Sequence, residues 1–167
     1  MWKPLKNPRK KTENMPLIAI FNNPTFLTCL IVSILAQMLK LPLEYLRTKE
    51  WDWSLIFSTG GMPSSHSAVV TAAAVCMGHY AGFDTPLFGL AFAVAMVVIY
   101  DATNIRRQAG FHAQQINRII KKLLEGKVKP AEEFEELREV LGHSPAEALG
   151  GIILGTLVSV ITWQIWQ

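Results

Sequence analysis

Two short strings in this sequence carry side chains able to act on an anionic group. The first, Gly60-Gly61-Met62-Pro63-Ser64-Ser65-His66-Ser67, is a turn-forming stretch that leads straight into an apolar segment. A helix starting there aims its first amide groups and the positive end of its dipole at whatever lies before it, an arrangement that favours phosphate. Ser64 or Ser65 would add a hydroxyl donor, and His66 is placed to give a proton to a leaving oxygen. The plainer account is a serine helix cap beside an interfacial histidine. The second string, Gly142-His143-Ser144-Pro145-Ala146-Glu147, also precedes an apolar run. His143 and Glu147 are four residues apart, so a helix puts them on one face, where a carboxylate holds one imidazole nitrogen while the other attacks as a nucleophile. The same string fits a purely structural capping box, Ser144 with Glu147, with Pro145 as first helical residue.

A phosphoryl group in transfer also needs cations. Lys40, Arg47, Arg106, Arg107 and Arg138 all fall on the side of the membrane expected to carry the two strings. Asp101 closes an otherwise apolar run, where an ionisable residue is a functional candidate, paired to one of the arginines. For each cation taken singly, interfacial anchoring to lipid headgroups is the commoner role. No spacing of ligands suggests a metal site. Cys29 and Cys76 lie inside apolar segments and read as reduced, buried, small apolar residues.

The elements that must position these residues are membrane spans. Half of the 167 residues are hydrophobic and 17% are charged, a balance too apolar for an ordinary soluble domain of this size. After a basic, polar tail over residues 1–24, which has no signal-peptide cleavage pattern, residues 25–167 form one membrane-embedded domain. Its apolar runs are 25–42, 64–83, 86–103 and 146–166, about four crossings of roughly 20 residues. Residues 43–62 read as a polar connection with interfacial Trp51 and Trp53. Residues 104–124 read as an amphipathic helix along the bilayer surface, and 131–142 as an acidic helix. Small residues in the second run, and Gly150, Gly151 and Gly155 in the last, favour close helix packing. The fold class expected is an all-α integral membrane bundle. Four crossings return every string and cation named above to one face.

Taken in order, AQMLK, GGMPSSHSA, YDATNIRRQAG and LGHSPAE resemble the divergent PAP2 family of small membrane proteins, over residues 35–155. Within the wider PAP2 phosphatase and vanadium-haloperoxidase superfamily, PSSH resembles the motif PSGH, and HSPAE the end of SRxxxxxHxxxD. The resemblance implies His143 as the nucleophile that forms a phosphohistidine, His66 as general acid, and Glu147 in the place of the usual Asp. Lys40 and Arg47 match the spacing of KxxxxxxRP, with Thr48 for its Pro. Arg138 stands one residue too close to His143 for the third-motif Arg, whose place Leu137 occupies, so Arg106 or Arg107 is an alternative. Ser65 replaces a Gly.

The activity implied is hydrolysis of a lipid phosphate or diphosphate ester without a cofactor or metal, with vanadate as a phosphate-mimicking inhibitor. The alternative is a weak or inactive PAP2-like adaptor that binds anionic lipid. Partners are the lipid substrate and membrane lipids, not nucleic acid, with a homodimer compatible with the sequence. The membrane is the plasma membrane if the source is bacterial. Of 16 Lys and Arg, five lie in the tail and the other eleven on the motif side, which favours a cytoplasmic site.

Overall fold

Three long helices in this chain begin with a polar cap followed by proline, whose fixed φ suits the first helical position. In α2 (Pro24–Thr48) the Asn23 side chain accepts from the Phe26 amide at 3.2 Å. In α4 (Pro86–Tyr100) Thr85 does the same for Phe88, and in α6 (Pro145–Ile165) Ser144 does so for Glu147. A short turn α1 (Ile18–Phe21) precedes α2, and α3 (Ser65–Ala81) is capped by Ser64. A π-helical turn, Asp101–Ile105, joins α4 to α5 (Arg106–Glu125). The structure, a computed structural model, describes residues 18–51, 53, 60–125, 136–139 and 141–166, and among them there is no strand.

The protein is an all-α membrane bundle with α3 at its centre, packed against α2, α4 and α6. Among the described residues, three helices are long and apolar enough to cross a membrane: Pro24–Thr48, Pro86–Leu123 and Pro145–Ile165. α3, with 17 residues, spans about 26 Å at 1.5 Å per residue, and it buries Ala68, Ala72, Ala74, Cys76 and Gly78 against its neighbours. Large apolar side chains such as Leu90, Val97, Leu157 and Ile161 are turned outward, as a lipid-facing surface requires.

Close approach of α3 and α6 depends on glycine. A Cβ on Gly151 would collide with the Ser64 carbonyl, and one on Gly155 with the Ala68 carbonyl. One turn further on, the Ser159 hydroxyl donates to the Ala72 carbonyl at 3.3 Å. Residues 151, 155 and 159 thus run along 64, 68 and 72, a small-residue seam that brings two backbones together. A bond between the Thr28 and Thr162 hydroxyls, 2.9 Å, ties α2 to the far end of α6.

Two expectations need correction. The first apolar run does not stop at Pro42: α2 continues around it to Thr48, where Lys49 in a left-handed conformation ends the helix by donating to the Tyr45 carbonyl at 2.8 Å. The proline loses a single amide bond, which the helix tolerates. The amphipathic segment is present as α5, and the π turn joins it to α4 so that the helix runs without interruption from Pro86 to Leu123. Finally, residues 136–139 of the expected acidic helix have no regular structure; residues 126–135 lie outside the described residues, as do 1–17 of the tail.

Candidate active site at the converging helix ends

The helix topology brings the Lys40 turn of α2, the start of α3, the π turn after α4 and the start of α6 together. The Ser64 amide donates to the Glu147 carbonyl at 2.9 Å, and the His143 amide donates to the Ala102 carbonyl in the π turn at 2.9 Å. These two backbone bonds lock the two histidine-bearing strings to each other's supports. The His66 and His143 rings come to 5.9 Å between centroids, at 56°.

His143 is 2% exposed. Its Nδ1 lies 3.1 Å from Glu147 Oε2, which also accepts from the Ser144 amide at 3.1 Å. A carboxylate accepts, so Nδ1 carries a proton, and in the neutral ring Nε2 is then the nitrogen with the free lone pair. Nε2 is buried and has no hydrogen-bond partner among the described residues. The capping box is complete as well, with the Ser144 hydroxyl oxygen accepting from the Glu147 amide at 3.3 Å. The two readings of this string are therefore not rivals, since one carboxylate oxygen caps the helix and orients the imidazole.

On the α3 side, Ser64 is fully buried. Its Oγ accepts from the Ser67 amide at 3.3 Å and bonds the Ser67 hydroxyl at 3.1 Å. The cap holds the helix start rigid and leaves the amides of Ser65 and His66 as first-turn donors with no carbonyl one turn earlier. Ser65 is the first helical residue and partly exposed.

The cations separate into two groups. Lys40 is 1% exposed and extends the buried stripe Thr28, Val32, Ala36 of α2; it lies within electrostatic range of Glu147 and His66. Arg106 donates from Nε to Asp101 Oδ2 at 2.6 Å, the pairing expected for Asp101. Together with His66, Ala102, Leu141, Gly142 and His143 it borders a small pocket of about 30 Å³, room for no more than about a water or two. Arg107 sits over the Phe111 ring at 5.3 Å and lines a larger cavity of about 230 Å³ with Gly60, Gly61, Glu139, His143 and Glu147. Arg47, in contrast, is on the outer surface 4.0 Å from Glu44, and Arg138 is exposed on the 136–139 segment; no described contact joins either to the histidines.

Several further residues build the site. Ala102 offers its carbonyl to His143, and Gly142, at φ +80°, packs so closely on the π turn that a Cβ would lie 2.5 Å from the Arg107 nitrogen. Asn117 binds the 136–139 segment through three hydrogen bonds. In the sequence it is one of several amides on an amphipathic helix, and nothing local distinguishes it from Gln114 or Gln115. No group of three or more His, Cys, Asp or Glu able to hold a metal occurs among the described residues.

A helical membrane bundle with a carboxylate-oriented histidine, a second histidine and a buried lysine gathered at one end is the architecture of a PAP2-like membrane protein. The chain belongs to the Divergent PAP2 family, whose sequence pattern matches residues 21–158. It is 37% identical over 150 residues to a protein described as uncharacterized membrane protein YuiD of Bacillus subtilis (strain 168), covering 85% of this chain and 95% of that protein. No solved structure matches it.

Proposed function

We propose that this protein is a multi-pass membrane phosphatase that hydrolyses a phosphate or diphosphate ester of a lipid through a phosphohistidine. The observation that carries this reading is the state of His143: Nδ1 held by Glu147 and Nε2 buried, unpartnered among the described residues and beside His66. A buried, unpaired acceptor is costly unless it serves a ligand.

In the first step the Nε2 lone pair attacks phosphorus in line, the P–O bond to the lipid alcohol or phosphate breaks, and His66 delivers a proton to the departing oxygen. Positive charge that appears on the His143 ring is balanced by Glu147. In the second step water attacks the phosphohistidine, His66 takes its proton, and the P–N bond breaks to release phosphate. Lys40, Arg106, Arg107 and the first-turn amides of α3 supply the charge that a phosphoryl group needs in a partly dry site. Because the site sits where helices end rather than at their middles, a substrate with its chain in the bilayer and its phosphate at the surface is the economical choice. Phosphatidate, phosphatidylglycerophosphate and a polyprenyl diphosphate all meet that requirement.

A second reading has one observation in its favour. Arg138, the counterpart of the third-motif Arg, is exposed on the 136–139 segment with no described contact to the histidines, which suits a protein that keeps the fold and binds anionic headgroups without turnover. Phosphate release by the purified protein from those three lipids, compared with the His143→Ala variant, separates the two. Release that depends on His143 supports the phosphatase; none from any of the three, with retained binding of anionic vesicles, supports the adaptor.

A further inference from the structure

The chain leading into His143 is held along α5, at Asn117 beyond the YDATNIRRQAG string and at Gly110, its last residue. Asn117, 9% exposed on α5, accepts from the Leu137 amide at 3.1 Å and donates to the Leu137 carbonyl at 2.8 Å and to Glu139 Oε1 at 3.0 Å. Two turns earlier Gly110 leaves room for the strap, since a Cβ there would stand 2.6 Å from the Glu139 carbonyl and 3.3 Å from the Leu141 amide. Gly142 then rests on the backbone of Arg106 and Arg107, and the His143 amide reaches the Ala102 carbonyl. As the strap climbs from 137 to 143, its contacts descend from 117 to 102, so it runs antiparallel to the helix. Ala113, also buried, lies on the same side.

Between these two pins the strap is held again by its own backbone: the Leu141 amide donates to the Glu139 carbonyl at 3.1 Å, and Gly142 turns at φ +80° onto the helix. Asn117 thus fixes the start of a short strap whose end is His143.

We propose that Asn117 is a positioning residue for the phosphoryl-transfer site: it anchors the strap on α5 and thereby helps hold the His143 imidazole against Glu147, with Nε2 beside His66. The catalytic consequence rests on the phosphatase reading above, and the positional one does not. Releasing the strap at Asn117 gives His143 freedom of an ångström or more, a misplacement on the scale that costs about 100-fold in rate. It leaves the cations and the helix starts where they were.

The test uses the purified full-length protein in detergent, as wild type and as N117A. Carbethoxylation by diethyl pyrocarbonate is followed by mass spectrometry at His143, with His79 and His112 as internal controls. In the same preparations kcat and KM are measured on phosphatidate, phosphatidylglycerophosphate and a polyprenyl diphosphate. N117A is expected to modify at least about ten times faster at His143 with the controls unchanged, and to lose about 100-fold in kcat while KM stays within about three-fold. The N117D/E139Q pair restores the Asn117–Glu139 bond with donor and acceptor exchanged, and brings both readouts part of the way back. Wild-type modification of His143 in N117A, or an equal rise at all three histidines, overturns the proposal. If wild type releases no phosphate from any of the three lipids, the phosphatase reading fails, and the modification rates still decide the role of Asn117. Should N117A not fold, N117D alone, which keeps the acceptor for the Leu137 amide and loses both donors, carries the same comparison.

Discussion

Glu147→Gln separates two functions that one carboxylate oxygen performs. Oε2 accepts from the Ser144 amide and from His143 Nδ1, each at 3.1 Å. A glutamine oxygen can occupy the same place and keep both bonds, so the fold loses only their charge-assisted part, under about 1 kcal/mol. Catalysis loses more. As Nε2 bonds to phosphorus the His143 ring becomes cationic, and a hydrogen bond to a charged partner is worth about 1.5–3 kcal/mol. At 1.4 kcal/mol per tenfold, the rate of phosphoenzyme formation should fall by roughly 10- to 150-fold. Ser144→Ala provides the converse case. It removes the cap on the Glu147 amide, 3.3 Å in length, and leaves the His143–Glu147 contact in place. That change should cost about 1 kcal/mol of stability and alter the rate by less than about three-fold. Rapid-quench measurement of the phosphoenzyme, beside thermal unfolding followed by circular dichroism in detergent, reads both quantities on the same samples. A wild-type rate in Glu147→Gln, or an equal rate loss in Ser144→Ala, would refute the orienting role of the carboxylate.

Arg106→Lys and Arg107→Lys should weaken vanadate inhibition by about tenfold, because the planar guanidinium fork is lost, whereas Arg47→Ala and Arg138→Ala should shift it by less than about two-fold; equal inhibition in all four would remove the arginines from the anion site. Turnover should depend on pH as a bell, since His143 must be neutral and His66 protonated at the start, and His66→Ala should slow phosphoenzyme formation most for substrates with poor leaving groups; a loss independent of leaving group would assign His66 another role. Gly155→Val should lower stability by about 1–3 kcal/mol through collision with the α3 backbone, while Gly89→Ala, where a Cβ meets nothing within 4 Å, should be neutral or stabilising by up to about 1 kcal/mol; thermal unfolding of the two variants compares them directly. Single cysteines at the exposed positions 62 and 138 should react with an impermeant thiol reagent from the same side of the membrane, and labelling from opposite sides would contradict the bundle.

What could be read from the sequence was what chemistry repeats locally. Apolar runs, proline after a capping residue, and a histidine four residues before a glutamate each declare themselves within a few positions, so the helix starts at Ser65 and Pro145 and the His143–Glu147 pairing were legible. The extent of α2 was not, because Pro42 and the charged residues after it suggest a boundary, while the helix needs only one missing amide bond to pass it. The join between α4 and α5 was hidden for a similar reason: polarity changes at Asp101, but the backbone accommodates the change with a π turn instead of a break. The cations showed the limit of spacing alone. Arg47 has the motif interval from Lys40, yet seven residues along a helix put the two on different environments, one buried and one 78% exposed in its side chain. Asn117 and Gly110 act across about 20 or 30 residues of sequence on the strap, and such a contact exists only once the chain has turned back.

The central claim is that His143 forms a covalent bond to phosphorus, and mapping the phosphoenzyme tests it most directly. Protein quenched during turnover of a radiolabelled lipid phosphate should carry an acid-labile, base-stable label on the peptide that contains His143, and the label should be absent from the His143→Ala protein. Label on any other residue, or full turnover by His143→Ala, would contradict the account.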